Sequence, residues 1–429
     1  MSTTTPRPPR SPFLLYAPFL LVYTGIVLAL HKAALQGDEG RYLAFAQNLL
    51  HGFYSPPAPD INLWNGPGYP LLLVPFLALR LPLLSIALLN AGLLYGSVVL
   101  LHKSLAHVAP YRAAVAFSLF WACYYPSFQE LPLIATEPLA CFLAAALALC
   151  VTRSFTGGGR GYPLAAGFVL GYLALTKVIF CYVILIWLAA AGALWLLKRR
   201  PGFLRTSVAI LLTAFVVLTP YALYTWRLTG RVFYWADSGG KSLYWMSTPF
   251  EGEYGDWNND TFTAHCTEGP TVPCETDRLR ANHQQDYDEI YRFTGVARDD
   301  EFKRIAIRNI RSHPRKYLTN CVANVGRLFF GFPATWTYQR VRTLVRIPAG
   351  AILATLMLAC VLPTALDWRK LEPQVRFAVI LCALYLGAST AVSAYPRQLY
   401  VAVPLLVLWI AAVTRRTISL SLRIRDSIT

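Results

Sequence analysis

The stretch that decides the fold reads Gly37-Asp38-Glu39-Gly40-Arg41-Tyr42, and it is answered downstream by Asn65-Gly66-Pro67-Gly68-Tyr69-Pro70. It begins just after an apolar run, 12–31, long enough to cross a bilayer. Two adjacent carboxylates, Asp38 and Glu39, therefore stand at a membrane surface. Carboxylates beside hydrocarbon are costly and are kept where a site needs them. Behind them Tyr42, Phe45, Leu49 and Phe53 recur at helical spacing. That is the pattern of an amphipathic helix lying on the membrane, with the Asp38 region as its cap. The next run, 68–79, is apolar but too short for a span, and reads as a re-entrant or half-inserted helix.

Outward from this motif the chain is hydrocarbon-loving. It has 429 residues, 55% of them hydrophobic and only 14% charged, against about 25% charged in soluble proteins; its mean hydropathy is +0.43. Further spans are expected at 82–101, 113–126, 136–151, 162–176, 178–197, 208–226, 347–366, 375–392 and 399–413. The fold class is thus an all-α polytopic membrane protein with about ten transmembrane helices, external juxtamembrane helices and a large external loop. Three parts follow: an N-terminal transmembrane module, 1–226, whose first external loop, 32–80, is catalytic; an external cap, 227–346; and C-terminal helices with a tail, 347–429. Within the cap, Phe302, Ile305, Ala306 and Ile310 repeat helically and Pro314 marks a break or a new helix start. The run 12–31 is longer than a signal-peptide core, so it is expected to be retained.

The formal charge of +17 sits mostly in loops 103–112, 153–160, 198–205 and 367–376 and in the tail 415–425. This bias places those loops and both termini in the cytoplasm of an inner (plasma) membrane protein, and the Asp38 loop on the external, periplasmic face. No basic stretch is interleaved with aromatics for base stacking, so nucleic acid is excluded as a partner. Of nine cysteines, most lie in apolar segments as small packing residues. Cys266 and Cys274 share a polar external loop and form a disulfide candidate, the alternative being two free thiols.

Candidate chemistry gathers on the external face. Asp38, with Glu39 beside it, can take the proton of an acceptor hydroxyl, hold a divalent cation that neutralises a phosphate, or decorate a helix N-terminus as acids commonly do. Glu137, at the external start of a span and ahead of Pro138, is equally a catalytic acid or a helix-terminal one. Lys177 falls in a tight external turn inside an otherwise apolar region, Arg397 opens the last span, and Lys241 follows Ser238-Gly-Gly, a backbone able to approach a phosphate. With Arg41 these are candidate phosphate ligands; each alone also suits a cation snorkelling to headgroups. Tyr42 and Tyr69 read as positioning residues. Trp226, Tyr234, Trp235, Tyr244 and Trp245 read as an interfacial belt.

Several stretches keep a fixed order along the chain: the Gly37–Tyr42 and Asn65–Pro70 motifs already quoted, Thr136-Glu-Pro-Leu139, Leu175-Thr-Lys177, Gly239-Gly-Lys-Ser-Leu-Tyr244, Ile310-Arg-Ser-His-Pro314, and Arg397. In that order they resemble the type C glycosyltransferases of the family 39 branch, which includes protein O-mannosyltransferases and the lipid A aminoarabinose transferase. Gly66 and Gly68 depart from the branch's Pro-Pro-Leu-Tyr-Pro element, Lys177 replaces an Arg, and Tyr224-Thr225 stands where an Arg-Asn pair is often found. The resemblance implies a hexosyl- or pentosyltransferase that inverts configuration. Its donor would be an undecaprenyl- or dolichyl-phosphate sugar, and its acceptor a hydroxyl on a glycan, lipid or protein. Asp38 would be the acceptor-activating or metal-linked acid, supported by Glu39. Two other classes remain open. A transporter or flippase of lipid-linked sugars wants charges near the midplane and interrupted helices in matching halves, whereas the charges here gather at one face. A polysaccharide polymerase or ligase would use an oligosaccharide-diphosphate donor.

Overall fold

The structure, a computed structural model, describes residues 11–197, 203–258, 275–335 and 344–428. Among them the regular elements are helices, with no strand. In order they are α1 (Pro12–Leu30), α2 (Glu39–Leu50), α3 (Gly68–Ala78), α4 (Leu83–Leu105), α5 (Tyr111–Ala122), α6 (Thr136–Phe155), α7 (Gly161–Thr176), α8 (Ile179–Leu196), α9 (Leu204–Thr229), α10 (Gly239–Met246), α11 (Glu275–Ile290), α12 (Gly295–Ser312), α13 (Pro314–Phe330), α14 (Ile347–Leu366), α15 (Pro373–Val392) and α16 (Pro396–Ile428). The Cys266–Cys274 pair lies outside the described residues.

Among the described residues, eight helices are long and apolar enough to cross a membrane. The other two expected spans are shorter: α5 has 12 residues and α7 has 16. The span expected at 113–126 stops at Cys123, and the chain continues as a 3-10 turn, Tyr125–Glu130, and a loop. Pro126 removes an N–H that a continuing helix would need. Irregular backbone at membrane depth is tolerated where it lines a cavity, and residues 129–130 and 133–135 do line one.

The short helix α3 does not traverse the bundle. It starts beside the end of α7, where Tyr172 Oη donates to the Gly68 carbonyl at 2.8 Å. Next in the chain, α4 departs from this same end: its Asn90 Nδ2 donates to the Leu133 carbonyl of the cavity loop at 2.7 Å. The far end of α4 brings His102 to Tyr16 of α1 at 2.9 Å. The 11 residues of α3 cover only ~16 Å of a ~30 Å hydrocarbon core.

Small residues set the tightest helix contact. A Cβ on Gly167 would stand 2.6 Å from the Ile210 carbonyl, and one on Gly171 would stand 2.9 Å from that of Ala214. The four-residue spacing of these glycines lets the backbones of α7 and α9 approach closely. The most enclosed spans are the first part of α16, with 83% of its apolar window buried, and α6, with 61%. These two helices carry Arg397 and Glu137 at their starts, so the centre of the bundle delivers both to one end.

A small second core lies in the cap, where α10, α11 and α12 pack Tyr244, Trp245, Tyr287, Ile290, Phe302 and Ile305 together. The expected aromatic belt is therefore mostly interior. Trp235, Tyr244 and Trp245 are buried, and among those five aromatics only Trp226 is broadly exposed. Pro314 opens α13, as a proline at a first helical position can.

Candidate active site

A cavity of about 1090 Å³ opens where the starts of α2, α6 and α16, the turn after α7, the loop 129–135 and the cap meet. Its walls bring Asp38, Arg41, Tyr42, Glu137, Lys177 and Arg397 together from four separate stretches of sequence.

Asp38 occupies the N-terminal position of α2, yet its side chain makes no capping hydrogen bond. Its carboxylate instead accepts from Arg41 Nη1 at 3.1 Å and from Arg397 Nη1 at 3.4 Å, with about a third (31%) of its side chain open. Arg41 is held over the Trp64 ring at 5.0 Å. At the place considered for a divalent cation, the Asp38 carboxylate oxygens face the Arg41 and Arg397 guanidiniums. Among the described residues no group of three His, Cys, Asp or Glu is clustered to bind a metal ion.

Glu39 differs from its neighbour. It is buried, and its oxygens accept the backbone N–H of Ile134 at 2.7 Å and that of Gln36. Glu39 thus ties the Asp38 loop to the cavity loop. With both oxygens engaged by the backbone, Glu39 holds the loop that carries Asp38.

Glu137 and Lys177 form the deeper pair. Lys177 Nζ donates to Glu137 Oε1 at 2.7 Å, with 4% of the Glu137 side chain exposed; Thr136 Oγ1 donates to the other oxygen at 3.2 Å. Lys177 stands in the two-residue turn between α7 and α8, as its sequence setting predicts. The Gly66-Pro67-Gly68 stretch explains how that turn is held. A Cβ at Gly66 would fall 2.1 Å from the Leu175 carbonyl, and one at Gly68 would fall 2.5 Å from Thr176 Oγ1. Only glycine lets the first loop lie against the residues leading into Lys177. Tyr42 lines the cavity, and Tyr69 packs edge-on behind it at 5.2 Å. At the former Arg-Asn position, Tyr224 Oη accepts the Ser55 N–H at 2.9 Å and so steadies the first loop.

Lys241 is not part of the cavity lining. Its ammonium lies over the rings of Trp257 at 5.1 Å and Trp64 at 5.7 Å, two residues that do line the cavity. Of the adjoining glycines, Gly239 lines the cavity, whereas Gly240 packs against protein: a Cβ there would stand 2.2 Å from the Asp299 carbonyl, and its N–H donates to Asp299 Oδ1 at 2.6 Å.

Arg346 and Arg327 escape the sequence reading, and Glu130 reads there only as a loop acid near Glu137. Glu130 and Arg346 line the cavity. Burial, and then the neighbouring Glu137, push the Glu130 carboxyl up to about 7, against the pull of Arg397, Lys177 and Arg346. Arg346 donates to Gln129, and its Nε is buried without a partner among the described residues. Arg327, fully buried, pins the cap over the site by donating to the carbonyls of Pro333 at 2.6 Å, Tyr254 at 2.9 Å and Ala394 at 3.2 Å. A basic residue at a loop's edge carries no periodic signal, which is why Arg346 was not legible.

No protein-family profile and no curated protein matches the chain. Solved structures do. An Archaeoglobus fulgidus oligosaccharyltransferase, tethered to an acceptor peptide containing the NVT sequon, is similar over 93% of this chain and 49% of its own, at 13% identity and TM-score 0.49. AglB of the same organism, in complex with an inhibitory peptide and a dolichol-phosphate, gives 96% and 51%, with 14% identity and TM-score 0.47. ArnT from Cupriavidus metallidurans, bound to undecaprenyl phosphate, gives 94% and 77%, with 12% identity and TM-score 0.38. These are type C glycosyltransferases. The chain spans about half the length of the two oligosaccharyltransferase structures. At such identities no residue-by-residue correspondence follows.

Proposed function

We propose that the chain is a membrane glycosyltransferase that moves a sugar from a polyprenyl-phosphate carrier to a hydroxyl acceptor on the external face, with inversion. The carrying observation is Asp38, held by Arg41 and Arg397 at a cavity whose walls also present Lys177 and Arg346. An aspartate so placed keeps lone pairs for an incoming hydroxyl, while the cations answer the charge that gathers on a departing phosphate. The acceptor oxygen attacks the anomeric carbon and the bond from that carbon to the phosphate oxygen breaks. The phosphate leaves with the electron pair and the hydroxyl proton passes to Asp38. Arg346 Nε, buried and unpartnered among the described residues, is a ready donor for a phosphate oxygen. A polyprenyl phosphate is already a fair leaving group, so positioning and charge stabilisation are the protein's main contributions. The external assignment rests on the positive-inside bias.

The test is reconstitution in liposomes with a panel of undecaprenyl- and dolichyl-phosphate hexoses and pentoses and with glycan, lipid and protein acceptors. Transfer with inverted anomeric configuration is expected. Transfer only from oligosaccharide diphosphates would move the chain to the polymerase or ligase class. Donor movement across the bilayer without transfer would make it a transporter.

A further inference from the structure

Beside the Asp38 cavity lies a smaller one of about 380 Å³. The two share a wall, because Arg41 and Trp64 line both. The remaining sides come from residues 60–62, from Asp237, and from the start of α12, where Arg298 stands. The cap closes directly onto the first loop here. Thr294 Oγ1 donates to the Pro59 carbonyl at 3.3 Å, and Gly295, at φ +51, lies so near that a Cβ would stand 2.8 Å from the same oxygen.

Asp237 is the group in this pocket that the transfer chemistry does not use. Its Oδ2 accepts the Leu63 N–H at 2.9 Å. Its Oδ1 is buried and has no hydrogen-bond partner among the described residues. Burial pushes the carboxyl up to about 6. A buried acceptor without a donor is costly until something supplies one.

The chemistry of the walls selects the ligand. An anion would meet Asp60 and Asp237; a cation would meet Arg41 and Arg298. A neutral ligand rich in hydroxyl groups, each both donor and acceptor, satisfies both kinds of wall. The volume lies toward the lower end of the range for small-molecule pockets, about 300–1,000 Å³.

We propose that this pocket is an acceptor subsite that binds a sugar ring of a glycan through Asp237, Asp60 and Arg298, and presents one hydroxyl past Arg41 toward Asp38. The proposal rests on the transferase reading for its role, and its test is one of binding. Methyl glycosides of hexoses and pentoses serve as probes for saturation-transfer NMR on the protein in lipid nanodiscs. In Asp237→Asn the amide oxygen can keep the Leu63 bond while an NH2 replaces the free acceptor. Arg298→Ala removes a donor from the rim. Contact signals are expected in the wild type, with affinity about tenfold weaker in Asp237→Asn, weaker also in Arg298→Ala, and unchanged in Arg346→Gln. Absence of signals with every probe in the wild type would overturn the subsite, as would equal binding by Asp237→Asn and Arg298→Ala. Persistent glycoside binding without sugar transfer in liposomes would instead count against the transferase reading alone.

Discussion

At the mouth of the cavity Asp38 meets Arg41 and Arg397 at 3.1 and 3.4 Å, with 31% of its side chain open. Deeper in, Glu137 meets Lys177 at 2.7 Å with 4% open. Both are acid–base contacts on one cavity, yet they do different work. An open pair is loosely held and weakly stabilising, so a substrate can exchange into it. A buried pair must stay matched, because either partner alone is an uncompensated charge. With the proposed base in the open pair and the fixed cation in the closed one, the site can rearrange around a substrate without loosening its own frame.

That contrast can be broken by mutation, and the effects on stability should fall in a definite order. Lys177→Met should be the most damaging, at about 3–5 kcal/mol, because it strands Glu137 in the interior; thermal unfolding in detergent would read it. Gly68→Ala should cost about 1–3 kcal/mol by overpacking against Thr176, and should also impair transfer by displacing the turn that carries Lys177. Arg397→Gln at the open pair should cost at most about 1 kcal/mol, measured the same way. A loss there as large as that of Lys177→Met would erase the distinction.

A gentler probe is pH. Burial and Glu137 raise the Glu130 carboxyl from the ordinary 4.5 to about 7. The sign follows from proton binding: the folded chain holds this proton more tightly than the unfolded one. Its contribution to stability is complete below 4.5 and is lost as pH rises through 7. Ionisation there also adds negative charge beside the proposed phosphate ligands Arg346, Arg397 and Lys177. We predict that stability and donor affinity both decline from pH 6 to 8, with the numbers for that window set by the shift to about 7. Glu130→Gln should flatten both profiles in unfolding and donor-titration series.

What could be read in advance was whatever has a local signature. The first loop with its amphipathic helix, the short run after Gly66, the Lys177 turn and the Pro314 helix start all announce themselves through period, length or proline. What stayed hidden was direction. Asp38 and Glu39 are adjacent in sequence and both line the cavity, but only the fold pairs one with two arginines and the other with the Ile134 and Gln36 amides. Gly239 and Gly240 are adjacent too, yet Gly239 lines the cavity while Gly240 approaches Asp299. Lys241 looked fit for a phosphate but lies over two tryptophan rings. Trp235, Tyr244 and Trp245 looked interfacial but are buried. Arg346 gave no signal, since a loop-end arginine breaks no pattern, and Glu130 read only as a loop acid near Glu137.

The most direct test of the central claim compares single-turnover sugar transfer by wild type and Asp38→Asn in liposomes, with melting temperature and donor binding measured on the same samples. The expected result is a loss of about 10²- to 10⁴-fold in transfer, with melting and donor binding little changed. Transfer undiminished in a folded, donor-binding Asp38→Asn protein would contradict it, and would leave Asp38 as a partner for two arginines rather than the group that takes the proton.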